Sequence, residues 1–153
     1  MSGPFATIDE SHAPVIIARV QREPTVETMQ AYLDELSATF RKHDRVALIF
    51  DTQNLVQVPA DVRQLQSDWL ASSEAEFSGR FAASAFIITH RVLRGVLRTM
   101  FWLKSPYYAY RVVASQAQAW DFLRETEPDL VALAQGANDD AVEPERSGIK
   151  GKP

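Results

Sequence analysis

Five consecutive apolar residues, Val46 to Phe50 (VALIF), stand between two stretches of helical periodicity and are followed at once by Asp51. A strand that is apolar on both faces needs cover on both, and an alternation of strands and helices supplies it. This segment therefore predicts the central strand of a mainly parallel sheet covered by helices.

The flanking segments agree. Phe5 to Asp9 alternates weakly, and Val15 to Val20 (VIIARV) reads as a more deeply buried strand, the two pairing as a hairpin through residues 10–13. Val26, Met29, Leu33, Leu36 and Phe40 then recur at three- and four-residue spacing, which predicts a helix with Thr25 as N-cap and Glu27 near its positive end. A second helix is expected from about Asp61 to Phe77, with Val62, Leu65 and Trp69 on one stripe, Asp61 and Gln64 at capping-box spacing, and Gly79 past its end. Ala82 to Ile88 is the next strand, and Thr89 is placed to cap a third helix. That helix has a broad apolar stripe (Val92, Leu93, Val96, Leu97, Met100, Phe101) and a second face carrying Arg91, Arg94 and Arg98. Gly95 lowers helix propensity there, which suggests either a close approach by a neighbour or a tolerated glycine. Ser105 and Pro106 stop the helix. Tyr108 to Val113 makes a last strand, and Ser115 with Gln118 opens a fourth helix burying Ala119, Trp120 and Leu123.

The expected order is β-β-α-β-α-β-α-β-α, a single α/β domain with right-handed crossovers. Periodicity fades from about Leu130, so the domain is expected over residues 1–130, with residues 131–153 a flexible tail.

Charge narrows the function classes. The chain has 153 residues and a net formal charge of −4, yet Phe77 to Trp120 contains no acidic residue and carries +6. This predicts a positive patch on an acidic body, suited to steering an acidic partner. Nucleic-acid binding would want more basic charge and an aromatic platform on the same face, and is not expected. No stretch approaches the roughly 20 apolar residues that cross a bilayer, and no leader-like segment opens the chain. The absence of cysteine excludes disulfides, thiol catalysis and cysteinyl metal sites, and fits a reducing, cytoplasmic setting.

Catalytic signatures are missing: there is no GxGxxG after the first strand, no GxxxxGK[ST], no GxSxG and no HExxH. His12, His43 and His90 fall on a turn, a helix end and a strand end, without ligand spacing. His90 and Asp51 both lie near carboxyl ends of strands, where α/β sites form, but no serine or threonine sits in a glycine-rich elbow to serve them. A non-enzymatic chain with no metal and no cofactor is expected.

The element order, together with VALIFDTQNLVQVPADVR, HRVLRGVLRTMFWLKSPYYAYRV and ASQAQAWDFL, resembles the STAS domain superfamily. Within it the chain looks like the SpoIIAA-like branch of bacterial anti-sigma-factor antagonists, whose fold is grouped with lipid-binding Sec14-type domains. The resemblance covers roughly Phe5 to Glu127. It implies a regulatory or scaffolding module that binds a protein partner through the loop after the central strand and the start of the second helix. In that family a kinase partner phosphorylates a serine at this helix start. Here the corresponding segment is Pro59-Ala60-Asp61-Val62, Asp61 stands at the phosphoacceptor position, and neither serine nor threonine occurs between Gln53 and Gln66. The serine switch is therefore not carried over. The residues expected to contact a partner are Asp51, Gln53, Asn54, Leu55, Asp61, Arg91, Arg94 and Arg98. Trp102 and Leu103 extend the apolar run beyond one face and are expected at an edge for self-association as a homodimer, or for peripheral contact with lipid. The Sec14 likeness implies the alternative function, binding of a lipid or small hydrophobic ligand.

Overall fold

The structure is a computed structural model that describes residues 3–53 and 55–135. The predicted element order is found. Strands β1 (Ala6–Asp9), β2 (Val15–Val20), β3 (Val46–Asp51), β4 (Phe81–Ile87) and β5 (Ala109–Val113) form one five-stranded sheet in the order β1-β2-β3-β4-β5. β1 runs antiparallel to β2, and the other neighbours are parallel. Helices α1 (Val26–Phe40), α2 (Ala60–Phe77) and α3 (Arg91–Leu103) connect successive parallel strands, and α4 (Gln116–Thr126) follows β5.

Because each parallel strand is laid beside its predecessor in chain order, right-handed crossovers put α1, α2 and α3 on one side of the sheet. Their buried residues Met29, Leu33, Val62, Phe77 and Leu93 share a core with Ile16, Leu48 and Phe50. The intervening strand residues Val15, Ile17, Ala47, Ile49, Ala83 and Ala85 point the other way, against Ala119, Phe122 and Leu123 of α4. Residues 128–135 are also helical, and Leu130, Val131 and Ala134 are buried on this second face, so the packed body runs past the boundary expected at 130. Residues 136–153, the rest of the expected tail, lie outside the described residues.

Local signals explain most element boundaries. The Thr25 hydroxyl accepts the Thr28 amide at 3.1 Å while the Thr28 hydroxyl accepts the Thr25 amide at 2.8 Å, a reciprocal cap. Ser115 accepts the Gln118 amide at 3.2 Å, and the Gln118 side chain accepts the Ala114 amide at 2.8 Å. Two expected caps are corrected. α2 starts a residue early, after Pro59, so Asp61 lies inside its first turn and its Oδ1 accepts the Val62 amide at 2.8 Å. α3 is preceded by His90 rather than Thr89, and neither side chain caps it.

Candidate functional site

The two faces of the sheet are packed differently. Against α4 the sheet presents Ala47, Ala83 and Ala85, whose small side chains let Ala119 approach closely. The opposite face is aromatic: Phe50, Phe81 and Phe86 stand up from the strands and Tyr108 immediately precedes β5, with Phe50 and Phe86 at 6.1 Å and Phe81 stacked on Tyr108 at 4.0 Å. Bulky residues on the sheet meet bulky residues on α3, and the helix stands off. Only Leu93 near its start and Phe101 near its end are fully buried, while Val96, Leu97 and Met100 between them are half-buried. Phe101 is anchored by edge contacts to Phe86 at 5.5 Å and Tyr110 at 4.6 Å.

Beneath this bridging helix lie two apolar chambers. The first, about 90 Å³, is bounded by Leu33 and Leu36 of α1, Trp69 of α2, Leu48 and Phe86 of the sheet, and Leu97 of α3. The second, about 50 Å³, reaches from Phe50 and Phe86 to Leu55, Val58 and Leu93. Leu97, Met100 and Gln66 line both. An open groove between α2 and α3 runs past Arg63, Gly95, Val96 and Leu103, and Met100 lines it as well. The three spaces thus share a wall. Gly95 belongs to that groove: a Cβ added there would meet no atom within 4 Å, so of the two readings of this glycine the tolerated one holds.

Polar groups around the chambers are few. Trp69 spends its indole N–H on the Ser37 hydroxyl at 3.0 Å. Burial pushes the Tyr32 and Tyr108 phenols well above their ordinary range, so both stay neutral. Ser84 is completely buried on the sheet between Leu48 and Tyr110, and its hydroxyl has no hydrogen-bond partner among the described residues.

The residues expected to meet a partner divide into three groups. Asp51 ends β3, and its Oδ1 accepts the Gln53 amide at 3.0 Å, which closes the turn in which exposed Gln53 takes a φ of 52°. Asn54 lies outside the described residues. Leu55 is corrected: it is 6% exposed and, with Val58 and Thr52, folds back against the body under the start of α3. An apolar side chain beside a chamber wall gains more from burial than from water. Val56 is the apolar residue this loop does present, at 42% exposure. Asp61 is exposed at the start of α2. Arg91, Arg94 and Arg98 are exposed on α3, and none of them forms an ion pair among the described residues. Trp102 and Leu103 are 81% and 74% exposed, clear of α4.

The pairing of Asp51 with His90, for which the sequence offers no nucleophile, gains no support from the topology. A sheet laid in unbroken chain order has no switch point at which a crevice opens between its strand ends. Among the described residues no group of three or more His, Asp or Glu could hold a metal ion, and no helix is long and apolar enough to cross a membrane. Sequence reasoning placed Trp69, Leu97 and Met100 in the core and passed over Arg63 and Gln66. The available signal was the six-residue apolar stripe of α3, wider than one helix can bury against a sheet of aromatic side chains.

These features define a domain of the SpoIIAA-like fold. A solved structure that shares it is an uncharacterized protein of the DUF3478 family from Shewanella loihica PV-4, described as having a SpoIIAA-like fold. Its TM-score is 0.56 at 14% identity, over 80% of this chain and 98% of that one. At that identity the likeness is one of fold. No protein-family model matches the chain, and no curated protein does.

Proposed function

We propose that this chain is a non-enzymatic binding module that takes a small hydrophobic ligand between α2, α3 and the aromatic face of the sheet. The observation carrying this reading is that α3 spans apolar chambers while anchored fully only by Leu93 and Phe101. Natural interiors close such spaces, because each unfilled volume costs stability, and small-molecule sites are concave, mostly apolar and partly preformed. The test is a titration of octanol into isotope-labelled protein, followed by amide chemical shifts. Saturable shifts are expected around Leu48, Phe86, Leu97 and Met100. Shifts confined to Trp102 and Leu103, or none at all, would refute it.

A protein-partner reading is favoured by a separate observation, the unneutralised arginines of α3. Three guanidinium groups on one helix within a stretch free of acidic residues would steer an acidic partner, with Val56 and Gln53 at the adjoining loop. Because Leu55 is buried, Val56→Asp and Arg94→Glu are the surface substitutions that probe this reading. They should weaken a captured complex while leaving octanol binding unchanged.

A further inference from the structure

Arg63 borders both the second chamber and the groove between α2 and α3. It is half-buried, and one of its terminal nitrogens donates to the Val58 carbonyl at 2.7 Å. No carboxylate among the described residues pairs with it. A guanidinium has five N–H donors, and partly desolvating it beside apolar walls without a counter-charge is costly. Val58 takes up little of that capacity. The cation is thus fixed by a backbone carbonyl at the place where the groove meets the apolar interior, sharing Val96 and Met100 with both.

Resting on the ligand-binding reading above, we propose that Arg63 receives the carboxylate of a single-chain alkyl acid. The alkyl chain passes Val96 and Met100 into the chambers lined by Leu97, Phe50 and Phe86. The planar fork of a guanidinium matches a carboxylate through two parallel hydrogen bonds. At about 90 and about 50 Å³ the two chambers together are smaller than the roughly 150 Å³ of a cavity that takes up benzene, so an alkyl chain enters as the half-buried stretch of α3 at Val96, Leu97 and Met100 yields, and a flexible single chain asks for less of that movement than a sterol or a two-chain lipid. The acid-free stretch from Phe77 to Trp120 adds a positive field over the same side.

Octanoate and octanol differ at the head alone, and the same amide-shift titration compares them. The full chain should bind octanoate roughly tenfold to a hundredfold more tightly than octanol, the range of a charge-assisted hydrogen-bonded pair. Arg63→Met should bring the two ligands to equal affinity while retaining octanol, and Arg63→Lys should restore part of the preference. Since Arg63→Met also removes the bond to Val58, a second variant guards against a folding defect. Gly95→Leu leaves Arg63 in place and adds a side chain to the groove from a position where a Cβ meets no atom within 4 Å, so it should weaken octanoate at least about tenfold at undiminished thermal stability. Equal affinity for both ligands in the unaltered chain would overturn the role of Arg63 alone, with octanol binding intact. A preference that survives Arg63→Met, or octanoate binding untouched by Gly95→Leu, would also overturn it. Binding of neither ligand would overturn this proposal together with the ligand-binding reading.

Discussion

Gly95→Ala should make this protein more stable. Glycine inside a helix costs backbone entropy, and its replacement by alanine stabilises an exposed helix interior by about 0.8–1 kcal/mol when the new Cβ has room. Gly95 is the fifth residue of α3, is exposed, has no left-handed φ to lose, and would place its Cβ more than 4 Å from any neighbour. Nothing in the folded state opposes the gain. With an unfolding entropy of about 2.1 cal/mol/K per residue over an ordered body of roughly 130 residues, 1 kcal/mol corresponds to about 3–4 °C in Tm. Thermal unfolding followed by circular dichroism, with calorimetry to establish a two-state transition, measures it directly. A fall in Tm would refute the reasoning, because it would mean that α3 packs closely at Gly95 and that the groove is not open there. The perturbation reports on the groove through stability alone, whatever the ligand.

Two further substitutions test the site's surroundings. Leu55→Asp should cost about 3–5 kcal/mol, since it removes a side chain buried against the second chamber and puts a carboxylate in its place, whereas an exposed contact residue would shift stability by under about 0.5 kcal/mol; urea unfolding separates the two. At the far edge of the sheet, hydrogen bonds from the Ser11 side chain and amide, with the Arg19 guanidinium 3.1 Å away, hold the Asp9 carboxyl at about 2. A pKa depressed on folding gives stability that is complete above the ordinary carboxylate value near 4 and is lost as pH falls through about 2. Asp9→Asn should therefore cost about 1–2 kcal/mol at neutral pH, discounted for partial exposure, and nothing once the carboxyl is protonated. An equal cost at both pH extremes would remove ionisation as its cause.

What could be read in advance follows from which forces are local. Val46 to Phe50 declares a doubly covered strand by composition alone, and Thr25 and Ser115 declare helix starts because capping needs only residues three positions away. Asp61 and Thr89 carry the same signals and neither is the N-cap: the residue that ends up at a helix boundary is set by where the chain leaves the sheet, and Pro59 already starts α2 a residue sooner. Leu55 shows a second limit. An apolar residue in a loop has no period to reveal whether it turns inward, and here it does so because the start of α3 leaves space beneath it. Arg63 shows a third. Its significance lies in a missing counter-charge, which becomes visible only when α2 is set beside α3.

The alternation of side-chain size across the sheet connects the fold to a binding role. Alanine on one face of β3 and β4 draws α4 and residues 128–135 into close contact, burying Ala119, Leu123 and Leu130 almost completely. Phenylalanine and tyrosine on the other face hold α3 at a distance, so that its contribution to the core rests on Leu93 and Phe101. Stability is not shared evenly under such packing, and the element with the fewest buried contacts opens at the lowest free-energy cost. α3 is therefore the crossover best able to admit a ligand. A chain lodged against Leu97 and Met100 would supply the contacts α3 lacks and stabilise the folded state in proportion to its occupancy. Entry and stabilisation then fall on one helix, and the same aromatic side chains that prevent its close packing form the floor of the site.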